Sequence, residues 1–273
     1  MIRRKKLGTD NRVGAPRGRA GRRRVALVLA AALALAAPAA AGVVALGGRA
    51  AASALTVYGA ASLSSAFPRI DRAPRYSFAG SNQLQLQIER GAPADVFASA
   101  SPDEPRALFR DGRCTRPVTF ATNVLVLITP RRNPSHLRSV YGLRAGRHRI
   151  ALGTGGVPVG AYTRRLLRRM RLESILRTNT VSLEPNVGSV VAKVALGSAD
   201  AGFVYFTDYV AARSRLRVIR LARRFQPPVR YGICAVRRRG ADTRGASRFI
   251  RRVLSAPGRR ILKRFGFGLP PRG

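Results

Sequence analysis

Short apolar segments alternate with amphipathic segments along the whole chain from Leu55 onward. The apolar segments predict strands at residues 55–58, 96–98, 123–129, 149–152, 181–183, 201–204, 217–221 and 230–236. The segments between them predict helices at residues 82–90, 102–110, 160–171, 187–196, 207–212, 243–255 and 258–265. Because strands that alternate with helices typically form parallel sheets covered by helices, we predict an α/β fold with mainly parallel sheets.

Two of the predicted strands, 123–129 and 230–236, are longer than the others and suggest a division into two lobes. The chain would leave the first lobe through one of these crossover strands and return through the other. Lobe one would then comprise residues 55–122 and 232–273, and lobe two residues 123–231. A cleft between two lobes is a natural position for a ligand.

The first 54 residues have the composition of an export signal. Ten basic residues precede Val25, against the single acid Asp10, and the stretch from Val25 to Gly48 carries no charge. Ala52-Ser53-Ala54 then gives the small-x-small pattern that signal peptidase accepts. We therefore predict a signal peptide at residues 1–54, cleaved after Ala54, and an exported protein. An uncleaved membrane anchor is the alternative, and the consecutive arginines before Val25 leave twin-arginine export open.

The net charge of the chain suggests a polyanion-binding protein, but its distribution does not. The chain has 51 Lys and Arg against 12 Asp and Glu, a formal net charge of +39. Ten units of that charge belong to the leader, and the rest is carried almost entirely by Arg spread along the chain. Scattered arginines are typical of solvated surfaces, so we predict no nucleic-acid partner. An Arg-rich surface that binds nucleic acid or anionic envelope polymers remains the alternative from another functional class.

The mature chain has two cysteines, Cys114 and Cys234. Cys114 lies just before the first crossover strand and Cys234 lies within the second. Since a single pair of cysteines in an exported protein is typically bonded, we predict a disulfide between them. The bond would close a loop of about 120 residues and stabilise the fold by ~3–5 kcal/mol.

No set of catalytic or metal-binding residues can be assembled from the sequence. His136 and His148 lie in loop-like segments without a second ligand at helical spacing. Ser81 lies in Ala79-Gly80-Ser81-Asn82, which lacks the second Gly of a nucleophile elbow. The run from Gly153 to Gly160 lacks the Lys of a P-loop. We therefore predict a protein that is not an enzyme and that has no cofactor and no metal cation.

Several predicted helices begin directly after a strand, at polar or glycine-rich turns. These junctions lie at Ser62, at Ser81, at the run from Gly153 to Gly160, and at Asn186-Val187. The first turn of a helix has free backbone N–H groups and the positive end of the helix dipole, and it binds anions without a counter-charge. Each serine alone is most simply an N-cap. Together, junctions in both lobes predict a converging anion site.

The mature chain resembles the ModA family of periplasmic molybdate-binding proteins of ABC importers, which are type II solute-binding proteins. The segments that carry the resemblance are Val57–Leu63, Phe78–Leu84, Ile88–Phe97, Gly156–Tyr162, Glu184–Gly188, Gly202–Asp208 and Arg264–Phe267. They occur in the order in which the family has them. The resemblance implies a two-lobed periplasmic-binding-protein fold in which two crossover strands join the lobes.

By position, the resemblance also implies five contacts to an oxyanion. Ser62 and Ser81 would donate hydroxyl and backbone hydrogen bonds from lobe one. Val159 and Val187 would donate backbone N–H groups in lobe two, and Tyr205 would donate its phenol. None of these residues is charged, which suits a tetrahedral dianion that accepts hydrogen bonds and donates none.

The function that follows is capture of molybdate or tungstate outside the cytoplasm and delivery to an ABC permease with its ATPase at the cytoplasmic membrane. The protein would be a monomer in the periplasm or at the outer face of that membrane. The alternative within the same fold is sulfate or another anion as the ligand.

Overall fold

The computed structural model describes residues 54–270, so the predicted signal peptide at residues 1–54 lies outside the described residues except for Ala54. The strands are β1 (Thr56–Ala60), β2 (Arg75–Ala79), β3 (Val96–Ser99), β4 (Val118–Asn123), β5 (Leu125–Pro130), β6 (Ile150–Gly153), β7 (Thr180–Glu184), β8 (Ala201–Tyr205), β9 (Leu216–Arg220) and β10 (Val229–Ala235). The helices are α1 (Phe67–Ile70), α2 (Ser81–Glu89), α3 (Asp103–Arg110), α4 (Pro158–Met170), α5 (Ile175–Thr178), α6 (Val187–Ala195), α7 (Phe206–Ala212), α8 (Thr243–Leu254) and α9 (Ala256–Arg264). None of these helices is long and apolar enough to cross a membrane.

The strands of residues 54–270 form two five-stranded sheets, one for each lobe. The first sheet has the order β2-β1-β3-β10-β4, and the second has the order β7-β6-β8-β5-β9. Four strands of each sheet share one direction, while β10 and β5 run antiparallel to both of their neighbours. The predicted α/β fold with two lobes and mainly parallel sheets is confirmed.

The two reversed strands are those by which the chain enters each lobe. β4 ends the first sheet at Asn123, and β5 begins the second sheet at Leu125. Both β5 and β10 begin at the side of their sheet that faces the other lobe, and the other strands of each sheet end at that side. The two strands therefore run antiparallel to their neighbours. Sheet pairing includes Asn123 and Val229–Tyr231 in the first sheet. The division of the lobes at 122/123 and 231/232 stays a prediction.

The helices cover the sheets with the apolar faces that the sequence predicts. In α8, Phe249 and Val253 are buried against the first sheet while Arg248 and Arg251 are exposed. Burying side chains of this size stabilises a fold by ~1.5–3 kcal/mol each, so the spacing of apolar residues fixes which face of α8 packs inward.

Two strands, β2 and β4, were not among the predicted elements. They form the two edges of the first sheet. No residue of β2 is buried, and three of the six residues of β4 are. An edge strand packs less of its surface than a central one, so its sequence lacks a continuous apolar run. The strands that were predicted in this sheet are its three central ones.

The predicted disulfide is not formed in this structure, because Cys114 and Cys234 are both free, buried thiols. The side chains are nevertheless neighbours: the hydrogen bond with Cys114, followed by burial, raises the pKa of the Cys234 thiol far above its usual range. The Cys114 Sγ also lies 3.2 Å from the carbonyl oxygen of Thr115 and 3.4 Å from that of Pro105. The two protonated thiols therefore have polar neighbours without a disulfide bond between them.

Candidate functional site

A small cavity lies between the lobes, at the carboxyl ends of strands from both sheets. This is where open α/β sheets place their ligands. The structure brings all five predicted contact residues together in its wall. The residues that line it are Ala60, Ala61, Ser62, Ala79, Gly80, Ser81, Ala100, Val157, Pro158, Val159, Asn186, Val187 and Tyr205.

Lobe one contributes two serine hydroxyls. Ser62 lies in a 3₁₀ turn directly after β1, and Ser81 is the first residue of α2. The Oγ of Ser81 accepts a hydrogen bond from the backbone N–H of Ala100 at 3.1 Å. The Oγ of Ser62 lies 2.9 Å from the hydroxyl of Tyr231. Because the Ala100 bond occupies an acceptor position of Ser81, the Ser81 hydroxyl hydrogen stays available to the cavity.

Lobe two contributes the N-termini of two helices. Val159 is the second residue of α4 and Val187 is the first residue of α6. Backbone N–H groups in the first turn have no intrahelical acceptor. Asn186 caps α6 by accepting from the backbone N–H of Ser189 at 3.0 Å, which leaves the earlier N–H groups free to face a ligand. The α4 and α6 dipoles both place partial positive charge at the cavity.

Tyr205 closes the cavity at the end of β8. Its side chain is 1% exposed, and its hydroxyl has no hydrogen-bond partner within residues 54–270. Burial, and then the neighbouring phenol of Tyr231, raise the pKa of Tyr205 well above its usual value, so the phenol keeps its proton. A buried hydroxyl without a partner is costly, and a ligand in the cavity would satisfy it.

The cavity wall holds no charged side chain among the described residues. Asp95, which lies in one of the segments that resemble the ModA family, is buried elsewhere in lobe one. It accepts from the backbone N–H of Thr56 at 2.9 Å and forms an ion pair with Arg238 at 2.7 Å. These bonds tie the start of β1 to the segment after β10. Within the described chain, no three His, Cys, Asp or Glu side chains come together in a way that could hold a metal ion.

Three residues important to the site were missed by sequence reasoning: Gly80, Asn123 and Tyr231. Gly80 is the N-cap of α2, and a Cβ at this position would overlap the backbone carbonyl oxygen of Pro185 in lobe two. The two lobes therefore touch at the rim of the cavity. The one available signal was Tyr231 itself, a phenol inside the mostly apolar strand β10.

Comparison with known proteins places the chain in a family. The family model described as bacterial extracellular solute-binding protein matches residues 55–268. The chain belongs to this family. It is 34% identical over 226 residues to the molybdate-binding protein ModA of Mycobacterium tuberculosis H37Rv, which covers 79% of this chain and 85% of that protein.

Solved structures agree with the fold. The substrate-binding domain of a putative molybdenum ABC transporter from Clostridium difficile is 28% identical with a TM-score of 0.58, covering 80% of this chain and 99% of that one. The periplasmic molybdate-binding protein of Azotobacter vinelandii has a TM-score of 0.70 at 23% identity, covering 80% of this chain and all of that one. At that identity the second likeness shows the fold alone. The resemblance to the ModA family inferred from the sequence is confirmed.

One carboxyl next to the site predicts a pH-dependent stability. Asp208 is buried, with 9% of its surface exposed, and accepts from the backbone N–H of Tyr205 at 2.9 Å. Burial raises its pKa from 3.8 to about 7. Since the native pKa lies above the unfolded one, the folded state holds a proton that the unfolded state has lost between about pH 4 and 7. Stability is therefore lost as the pH rises through that window, by at most about 4 kcal/mol.

Asp208→Asn keeps an acceptor for the Tyr205 N–H and removes the buried charge. We expect a higher melting temperature than that of the original protein at pH 8, and a difference that shrinks toward pH 5. Differential scanning calorimetry at several pH values measures this. Asp111→Asn, at an exposed carboxylate, is the matched control and should give no such trend. An Asp208→Asn difference that is the same at pH 5 and pH 8 would contradict the prediction.

Proposed function

We propose that the protein captures molybdate or tungstate in the cavity between its lobes. The observation that carries this proposal is the donor set of the cavity. It combines the Ser62 and Ser81 hydroxyls, the first-turn N–H groups at Val159 and Val187, and the phenol of Tyr205, which has no partner within residues 54–270. A fully ionised tetrahedral dianion offers only acceptors, and this wall offers donors.

Among the described residues, the wall has no carboxylate, which argues against a cationic solute. Helix N-termini and hydroxyls compensate negative charge by many short bonds, and they provide no carboxylate that a cation would need. The ModA relative from Mycobacterium tuberculosis is named for molybdate binding, which agrees with this chemistry.

The proposed partners are a permease and its ATPase of an ABC importer. Membership in an extracellular solute-binding family agrees with a location outside the cytoplasm. We propose that residues 1–54 direct export, that the protein acts as a monomer, and that it has no catalytic role and no cofactor. The lobes would close on the anion around the two crossings near Asn123 and Val229.

The Arg-rich surface offers little support for the polyanion alternative. Exposed arginines lie on helices of both lobes, for example Arg165 and Arg168 on α4 and Arg248 and Arg251 on α8. A nucleic-acid surface normally concentrates its charge on one face.

Isothermal titration calorimetry of the purified protein with molybdate, tungstate, sulfate and phosphate tests the proposal. We expect heat and one site per chain with molybdate or tungstate, weak dependence on salt, and no detectable binding of phosphate. Binding of sulfate but of neither molybdate nor tungstate would replace the proposed ligand. A separate titration with nucleic acid that gave binding falling steeply with salt would favour the polyanion function instead.

A further inference from the structure

A chain of hydrogen bonds connects the crossing between the lobes with the cavity. The Asn123 Nδ2 lies 3.0 Å from the Thr207 Oγ1 and 3.3 Å from the Tyr231 hydroxyl. The Tyr231 hydroxyl lies 2.9 Å from the Ser62 Oγ. All four side chains are buried, with exposures from 0% at Tyr231 to 7% at Ser62 and Asn123. Asn123 ends β4, Thr207 belongs to α7 of lobe two, and Ser62 lines the cavity.

The orientation of the Asn123 amide determines which group donates and which accepts in each of these hydrogen bonds. The Oδ1 of Asn123 accepts from the backbone N–H of Val124 at 2.9 Å, which fixes the amide orientation. The Nδ2 of Asn123 therefore faces Thr207 and Tyr231, and an amide nitrogen only donates. Tyr231 must accept the bond from Asn123. Among the described residues, the Ser62 Oγ at 2.9 Å is the one acceptor within reach of the Tyr231 hydrogen. A bond in the opposite direction would leave that buried hydrogen without a partner, so we assign Tyr231 as the donor to Ser62.

The Ser62 hydroxyl is constrained in turn. Because its oxygen accepts from Tyr231, its single hydrogen cannot lie between the two oxygens and has to point elsewhere. Ser62 lines the cavity, so that hydrogen is available to an anion that binds there. Ser81 reaches the same state by a different route, through the Ala100 N–H.

The ring of Tyr231 is held firmly enough to keep this direction. It packs edge-on against Phe267 and Phe120, with ring centroids 5.3 Å and 6.0 Å away, and lies 5.9 Å from the Tyr205 ring. Burial raises the pKa of Tyr231 well above its usual value, so its hydrogen is present at any physiological pH.

We infer that Asn123 and Tyr231 are positioning residues of the anion site, which orient the Ser62 hydroxyl as a donor to the ligand. The inference rests on the proposed function. Neither residue lines the cavity, and both act through Ser62. A site whose hydrogens already point inward loses no hydroxyl orientation on binding, which raises affinity by preorganisation.

A double-mutant cycle of Tyr231→Phe and Ser62→Ala tests the inference by molybdate calorimetry. We expect Tyr231→Phe to weaken binding about 5- to 20-fold, the range of a lost hydrogen bond. In the Ser62→Ala background the same change should cost less than about twofold, because no hydroxyl remains to be oriented. A merely structural role for Tyr231 would weaken binding equally in both backgrounds, and that result would overturn the inference.

A second variant reverses the direction of the bonds. Asn123→Asp places an acceptor where Asn123 has a donor, so Tyr231 would donate to it and Ser62 would donate to Tyr231. The ligand then loses the Ser62 hydrogen. We expect about a 10- to 100-fold loss of molybdate affinity, which shrinks in the Ser62→Ala background. If Asn123→Asp lowers the molybdate affinity equally in both backgrounds, the loss comes from the added charge alone, and that result contradicts the inference. The cycle of Asn123→Asp and Ser62→Ala also tests the inference if the Tyr231→Phe variant does not fold.

Tyr76→Phe is the matched control. Its hydroxyl is bonded to the carbonyl oxygen of Asp71 at 2.6 Å, in lobe one but away from the cavity. We expect its molybdate affinity to stay within about twofold of the original, since no bond to the site is lost. If the original protein itself fails to bind molybdate and tungstate, the proposed function falls and the inference with it. If the original protein binds but the cycle shows no coupling, only the inference falls.

Discussion

Gly80→Ala is expected to weaken molybdate binding by about 10- to 100-fold or more, while lobe one and lobe two keep their folds. The Gly80 backbone has φ −63° and ψ 136°, which any L-residue adopts without strain. The added methyl group would overlap the carbonyl oxygen of Pro185 in the other lobe. Backbone on one side and a rigid proline segment on the other leave little room to adjust, so the lobes would have to separate.

Gly156→Ala is the matched control for this prediction, since Gly156 also lies where the lobes meet. A Cβ there would lie 3.5 Å from the Asn82 Nδ2, an ordinary contact distance. We expect binding within about threefold of the original. Calorimetry gives the affinities, and small-angle scattering with and without molybdate reports closure. Gly80→Ala with unchanged affinity would contradict the closed contact between Gly80 and Pro185.

The general architecture could be predicted because it depends on local patterns. Alternating apolar strands and amphipathic helices predicted the three central strands of the first sheet and all five strands of the second. The edge strands β2 and β4 of the first sheet were missed because neither contains a continuous apolar run. Pairing with a neighbour that is distant in the chain defines these strands, and a short sequence window does not contain that neighbour.

The candidate site was predicted residue by residue through the resemblance to the ModA family, and the structure gathers Ser62, Ser81, Val159, Val187 and Tyr205 around one cavity. Their role as ligands stays a prediction. What sequence could not supply is the orientation of hydroxyl hydrogens. That depends on the contact between Ser62 and Tyr231, which are 169 positions apart in the chain.

The cysteine pair shows a different limit. Cys114 and Cys234 were expected to be bonded from the export prediction, and they are neighbouring free thiols in this structure. The sequence predicted that the two cysteines lie close together, but it did not determine whether they form a disulfide. A disulfide depends on oxidation as well as on geometry.

Removing two donors at once is expected to have the largest effect on binding. Ser62→Ala with Tyr205→Phe takes away one hydroxyl from each lobe. Each charge-assisted hydrogen bond contributes ~1.5–3 kcal/mol, so we expect molybdate affinity to fall by about 10²- to 10⁴-fold. Calorimetry measures the loss, or its disappearance below detection.

The single change Tyr205→Phe separates a binding role from a structural one. The Tyr205 hydroxyl is buried and has no partner within the described chain, so its removal leaves no broken bond behind. We expect an unliganded melting temperature that is equal or higher, together with a clear loss of affinity. A residue that serves only packing would show the opposite pattern, because its truncation lowers stability first.

Tyr209→Phe, at a partly exposed position in the same helix region, is the control and should change neither quantity. If Tyr205→Phe lowers the melting temperature while molybdate binds as before, the phenol is not a ligand donor. If Tyr205→Phe keeps the melting temperature and lowers the molybdate affinity, the Tyr205 hydroxyl is unpaired in the unliganded protein and donates to the bound anion. Binding then removes the free-energy cost of burying that hydroxyl. The site would then be held ready for its ligand at the expense of its own stability.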